Sequence, residues 1–307
     1  MAVVRRDRIR SGADLVRRAR PTVRQCRFQR GGHVTGTPLR LLTGTIAGLV
    51  SLAVILLAPE RVFAGLTLVL VGWAAVEWFR LCGLAPCQIW PWVVGTVALA
   101  VGWQVLWPAG QVAWLMGAVA ATWLLLFAAQ LRHRRERPAN RPFWLRRLIG
   151  LTILPLFWLA LVEVHSAPDG EWLLVFGILV VVVADSLAYF AGRAFGRHKL
   201  APMISPGKSI EGVVGGLAGV AVLAAIGAIL PLFAATPSWL LALWCALVAL
   251  ASVGGDLEES RLKREAGAKD SGRILPGHGG VLDRLDGQFA AMPLWWLGLW
   301  QMQLLGG

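Results

Sequence analysis

Residues 256–286 read D-L-E-E-S-R-L-K-R-E-A-G-A-K-D-S-G-R-I-L-P-G-H-G-G-V-L-D-R-L-D. One apolar run ends just before them, at A-S-V-G-G, and another begins just after, near residue 288. The stretch itself holds four Asp, three Glu and six Lys or Arg. A simple connection between two apolar helices does not need both signs of charge at this density. Asp256 stands at the end of one apolar run, and Asp283 and Asp286 stand at the start of the next. Carboxylates at two adjacent helix ends can converge on a hard cation, which prefers oxygen ligands and shares them with substrate phosphates. Lys263, Arg264, Lys269 and Arg284 add positive charge for phosphate oxygens, Arg in a bidentate fork. The run P-G-H-G-G has few side chains, so main-chain N–H groups can approach an anion closely. On residue types alone, a solvated amphipathic loop pairing its own charges remains open.

The rest of the chain sets the frame. Of 307 residues, 57% are apolar, 15% are charged and 16 are Trp. A soluble domain does not bury that much apolar surface. The apolar residues fall in runs of about 18 to 23, the length that crosses a hydrocarbon core as a helix. Lipid offers backbone polar groups no partner, so such runs are helical. The expectation is an all-α, polytopic membrane protein with about nine transmembrane helices. They lie near 41–58, 62–78, 89–107, 112–131, 148–164, 172–191, 213–234, 239–255 and 288–305. Trp90, Trp92, Trp103, Trp107 and the Trp residues of the fourth run fit interfacial aromatic belts.

The net charge is +13, and the basic residues cluster between the runs. Topology and anionic lipid explain that placement better than nucleic acid does. Residues 1–38 hold ten Arg and two Asp and no long apolar run. They read as a disordered basic extension on anionic lipid, with 39–307 forming the membrane domain. No secretory signal pattern is present. Cys26, Cys82, Cys87 and Cys245 show no metal-ligand spacing, and Cys82 and Cys87 read as free thiols rather than a disulfide.

With an Arg-rich cytoplasmic N-terminus, segments near 79–88, 132–147, 192–212 and 256–286 all face the cytoplasm. The connections on the other side, near 59–61, 108–111, 165–171 and 235–238, carry one Arg and no Lys between them. That asymmetry satisfies the positive-inside rule. Two further acids draw notice. Glu77 ends the second run, where a role in a site stands against a pairing with Arg80 or a water-facing position. Asp185 lies near the end of the sixth run, in D-S-L-A-Y-F, where a salt bridge to Arg193 competes with a role in a site. The following G-R-A-F-G-R-H-K-L-A-P-M-I-S-P-G-K-S-I-E-G-V-V-G-G, 192–216, reads as an irregular surface or re-entrant loop. Its S-P-G-K-S lacks the spacing of a nucleotide-binding P-loop.

The spacing S-x-L-K-R-x4-K-D-x-G-x2-L-P-x-H-G-G-V-x-D-R-L-D, from Ser260 to Asp286, resembles the signature of the phosphatidate cytidylyltransferases, the CDP-diacylglycerol synthases. Residues 185–212 resemble a second block of that family, with Leu187 where a Gly is usual and Ile210 where an aromatic is usual. Both departures put local packing in doubt rather than chemistry. The resemblance does not cover the first 38 residues.

The resemblance implies CMP transfer from CTP to phosphatidate in a bacterial inner membrane, with the site facing the cytoplasm. It implies Mg²⁺ held by Asp256 and Asp283, with Ser260 a further ligand, and a second cation such as K⁺. Lys263, Arg264, Lys269 and Arg284 would hold CTP or pyrophosphate oxygens. Arg193, Ser205 and Lys208 would hold a lipid or nucleotide phosphate, and His278 would donate to a phosphate or fix the glycine loop. Nucleic acid is not expected as a partner, and a homodimer is allowed for. Two other classes stand against this reading. A CDP-alcohol phosphotransferase needs a D-G-x2-A-R…G-x3-D pattern that the chain lacks. A transporter for an anionic solute needs charges near mid-membrane and internal repeats.

Overall fold

The computed structural model describes residues 37–106, 109–132, 141–272 and 279–305. Each expected apolar run is a helix. In chain order these are α1 (Thr37–Leu57), α2 (Glu60–Leu81), α3 (Pro86–Leu106), α4 (Ala109–Arg132), α5 (Phe143–His165) and α6 (Gly170–Phe195). There follow a hairpin of β1 (Lys199–Ala201) and β2 (Ser205–Ser209), then α7 (Ile210–Gly227), α8 (Ser238–Glu265), the single turn α9 (Leu282–Leu285) and α10 (Gln288–Gln301). Seven of these helices, α2 to α8, are long and apolar enough to cross a membrane. The fold is that of an all-α polytopic membrane protein.

Three boundaries differ from the sequence reading, each for a local reason. The helix α8 does not stop at Gly255 but continues ten residues further, to Glu265. Residues 256–265 contain no Gly or Pro, and Leu257 and Leu262 are buried in two separate apolar clusters. The pairs Glu259–Lys263 and Arg261–Glu265 add support at i,i+4 spacing. Gly267, at φ +67°, ends the helix. Ala268 N–H then donates to the Lys263 carbonyl and Gly267 N–H to that of Arg264, a Schellman closure.

The second difference is residues 192–216, which are ordered rather than irregular. Helix α6 runs on to Phe195, the two short strands pair antiparallel with Lys199 opposite Ser209, and α7 begins at Ile210. Ser209 caps α7 by accepting from Gly212 N–H at 3.1 Å. Third, α7 ends at Gly227, not near 234, and a 3₁₀ turn at Pro231–Phe233 follows.

Helices α6 and α7 form the most extensive pair. Small residues allow it, as is common between membrane helices. A Cβ on Gly215 would lie 2.2 Å from Ala191 Cβ, and one on Gly219 only 1.9 Å from Leu187 Cδ1. Leu187 therefore fills the space that Gly219 leaves open. Ile210 packs on a small cluster of Leu200, Ala201, Ile204, Val253 and Leu257. Both departures from the family pattern are thus accommodated by neighbours.

Buried tryptophans hold the remaining helices. Trp78 Nε1 donates to the Arg146 carbonyl at 3.0 Å, Trp158 to that of Ala64 at 3.0 Å and Trp295 to that of Leu173 at 2.9 Å. A buried indole N–H usually finds such an acceptor, although those of Trp123 and Trp296 have none among the described residues. The expected belt is only partly seen in the third and fourth runs: Trp90 and Trp114 are exposed, whereas Trp123 is buried. Cys82, Cys87 and Cys245 are free thiols; burial pushes the Cys82 thiol up to about 12.

Long-range polar contacts gather the basic segments at one end of the bundle. They join the end of α2, the start of α5, the hairpin, the end of α8 and the segment before α10. At the other end, His165 reaches the Ile55 carbonyl and Ser166 reaches Glu60.

Candidate active site

The extra turns of α8 carry Asp256, Ser260 and Lys263 at i, i+4 and i+7, one face of a helix. Each terminal residue of that triplet meets a different partner. Asp256 Oδ2 pairs with Lys208 Nζ of the hairpin at 2.5 Å, and its Oδ1 accepts from Ser260 Oγ at 3.3 Å. Lys263 Nζ lies between Glu259 Oε2 at 2.5 Å and Asp283 Oδ1 at 2.8 Å.

Around the first pair, Asp185 and Asp286 lie close enough to feel the charges of Asp256 and Lys208. Asp185 is thus associated with Lys208, while Arg193 donates instead to Tyr189 Oη at 3.3 Å. Burial, with the Asp256 carboxylate beside it, pushes the Asp286 carboxyl well above the usual range. Three acids here face one ammonium. Among the described residues no three acid, His or Cys side chains form a ready metal cage. The donor set is nevertheless all oxygen and carries excess negative charge, which suits a divalent cation that completes its shell with phosphate oxygens.

Asp283 is differently placed. Its Oδ2 accepts from Ser271 N–H at 2.9 Å, Ser271 Oγ at 2.9 Å and Gly280 N–H at 2.8 Å, while Oδ1 takes Lys263. Burial alone would raise this carboxyl; the Lys263 ammonium and the two N–H groups outweigh it and hold it at about 2. The structure therefore brings Asp256 onto Lys208 and Asp283 onto Lys263, rather than both onto one partner.

Glu77, from the end of α2, is 1% exposed and enters the same region. Its oxygens accept from Ser271 Oγ at 2.9 Å, Val281 N–H at 3.2 Å and Leu282 N–H at 2.9 Å. The anions that the glycine-rich backbone approaches are thus, in part, the protein's own carboxylates. The sequence leaves Glu77 open between a role in the site and a pairing with Arg80 or water. The true partners lie about two hundred positions away, and nothing local to Glu77 signals them.

On the opposite face of α8, Glu258 and Glu265 are held by Arg141, with Arg261 and Arg146 also on Glu265. Gln130 of α4 donates to Glu258 at 2.8 Å. Arginines that read as topology anchors therefore also clamp the helix carrying Asp256. Of the other expected site residues, Arg193, Arg264, Lys269 and Arg284 are exposed. Ser205 is half-buried at the start of β2, and Lys208, three residues on, is half-buried near its end. His278 lies outside the described residues.

A family model described as the cytidylyltransferase family matches residues 38–301. A phosphatidate cytidylyltransferase of Pseudomonas aeruginosa is 37% identical over 265 residues, covering 85% of this chain and 96% of that protein. One of Haemophilus influenzae is 50% identical over 133 residues, 42% of this chain and 46% of that protein. One of Brucella abortus is 41% identical over 184 residues, 59% of this chain and 64% of that protein. The match spans both charged blocks that meet at one end of the bundle, and the chain belongs to the cytidylyltransferase family.

Proposed function

We propose that this membrane protein transfers CMP from CTP to phosphatidate, giving CDP-diacylglycerol and pyrophosphate. The observation that carries the reading is the pair of acid–lysine contacts, Lys208–Asp256 and Lys263–Asp283, at the end of one membrane helix. Two polyanions must meet there without repelling each other. A lipid phosphate oxygen attacks the α-phosphorus of CTP, one P–O bond forms, and the bond to pyrophosphate breaks. The attacking phosphate monoester is already ionised near neutral pH, so the chain need not supply a strong base.

The chain's own part is to bind, orient and neutralise. Lys263, fixed by Glu259 and Asp283, presents its charge beside the exposed Arg264, Lys269 and Arg284, a setting suited to the triphosphate. Lys208 and the half-buried Ser205 sit on the hairpin, next to the lipid-facing helices, where the phosphatidate headgroup would arrive. Arg193, one turn after Tyr189 on α6, extends that basic rim.

Mg²⁺ would be held by Asp256 with Ser260 and a second carboxylate, and it would neutralise charge on the transferring phosphate. Asp283 is the second carboxylate expected, and Asp286, whose carbonyl would stand 2.5 Å from a Cβ on Gly255 next to Asp256, is the other carboxylate near it; the four donors on Asp283 suit it to fixing Lys263. A second cation such as K⁺ would share the site with Lys208 beside it. The site opens on the cytoplasmic side, by the charge asymmetry of the connections.

The test is turnover of labelled CTP with phosphatidate and Mg²⁺ by purified protein, read as a labelled lipid. A variant series of Asp256→Asn, Asp283→Asn and Asp286→Asn follows, each scored for folding. Activity of Asp256→Asn within about tenfold of wild type would remove that carboxylate from the reaction centre.

A further inference from the structure

We infer that Glu77 is a positioning residue for the reaction: its carboxylate ties Ser271 to Val281 and Leu282 and so fixes Asp283. This rests on the cytidylyltransferase reading of the site. Glu77 belongs to α2, outside both charged blocks, yet it is bonded to Ser271 Oγ and to the N–H groups of Val281 and Leu282. Ser271 Oγ lies 2.9 Å from Glu77 Oε2 and 2.9 Å from Asp283 Oδ2, so its single proton is shared between the two carboxylates.

The backbone is built around this clasp. A Cβ on Gly272 would stand 2.3 Å from Glu77 Oε1, and one on Gly280 2.2 Å from Glu77 Oε2 and 2.2 Å from Ser271 Oγ. Two glycines of the motif thus leave room for the Glu77 carboxylate, and a side chain at either would have to displace it. Gly280 N–H also donates to Asp283. Asp283 in turn holds Lys263 at 2.8 Å. A chain of direct contacts thus runs from α2 to the lysine facing the nucleotide phosphates.

The geometry requires acceptors at both oxygens. Gln at position 77 keeps the shape but turns one oxygen into an NH₂ facing backbone N–H or hydroxyl donors. The experiment compares wild type, Glu77→Gln and Ser271→Ala as purified, monodisperse proteins, with CTP and phosphatidate varied separately. For Glu77→Gln, kcat/KM for CTP is expected to fall about tenfold or more, the effect of losing one or two charge-assisted hydrogen bonds. KM for phosphatidate should stay within about twofold, because Lys208 and the hairpin are untouched. A merely structural glutamate would lower the yield or melting temperature and leave both constants of the folded fraction at wild-type values, which overturns the inference. If Glu77→Gln does not fold, Ser271→Ala decides. The same split supports the inference, and wild-type constants overturn it. Absence of CTP turnover in the wild type would instead overturn the reading of the reaction itself.

Discussion

Arg141→Ala tests whether the clamp behind α8 holds the reactive face in place. The guanidinium is 10% exposed and contacts Glu258 and Glu265, both 1% exposed. After its removal Glu265 keeps Arg261 at 2.9 Å and Arg146 at 3.6 Å. Glu258 keeps the Gln130 amide at 2.8 Å but loses the Arg141 charge. Depriving a buried charge of its partner costs about 3–5 kcal/mol. The retained amide bond places the expectation at the lower end, about 3 kcal/mol. For a chain of this size that is roughly a 5–10 °C fall in apparent Tm. The assay is thermal unfolding in detergent micelles for Arg141→Ala, Glu258→Gln and the double variant. Neutralising Glu258 removes the stranded charge, so the double variant should recover about 2 kcal/mol relative to the sum of the singles. Turnover of CTP should fall with Arg141→Ala as well, because the same two helical turns carry Asp256 and Lys263. A cost under about 0.5 kcal/mol that adds with Glu258→Gln would refute the reasoning, since that is how an exposed ion pair behaves.

Other expectations are more direct. Lys208→Met should reduce turnover by about a hundredfold or more while the protein stays folded, measured by the labelled-lipid assay. Chelation with EDTA should abolish activity and added Mg²⁺ should restore it; activity that survives chelation would remove the cation from the scheme. Gly177→Ala should lower Tm, because the new Cβ would stand 2.4 Å from the Trp295 ring; overpacking of this kind costs about 1–3 kcal/mol. Asp283 is held at about 2 against an ordinary 3.8, so its stabilisation is present above that ordinary value and is lost as pH falls towards 2. The Tm gap between wild type and Asp283→Asn should therefore narrow over that window. In a cysteine-free background, single cysteines at exposed positions 266 and 166 should be labelled from opposite sides of the membrane, 266 from the cytoplasm.

Much of the molecule is legible without coordinates. Runs of apolar residues long enough to cross a bilayer leave the backbone no option but helix, so α2 to α8 follow from periodicity-free hydropathy alone. The charged blocks mark the reactive end because unpaired charges do not belong in lipid. The motif spacing from Ser260 to Asp286 carries the family. What residue types do not carry is partner choice among several acids and several bases at the same depth. Asp256 and Asp283 look equivalent in the sequence, yet one takes Lys208 and the other Lys263. That difference arises because α8 continues past Gly255 as a rigid helix, sending positions 256 and 263 to different neighbours. The role of Glu77 likewise exists only once α2 is packed beside a segment about two hundred residues away. Hydropathy is a property of each stretch by itself, and it fixes the helices. Ion pairing depends on which stretches meet, and packing alone decides that.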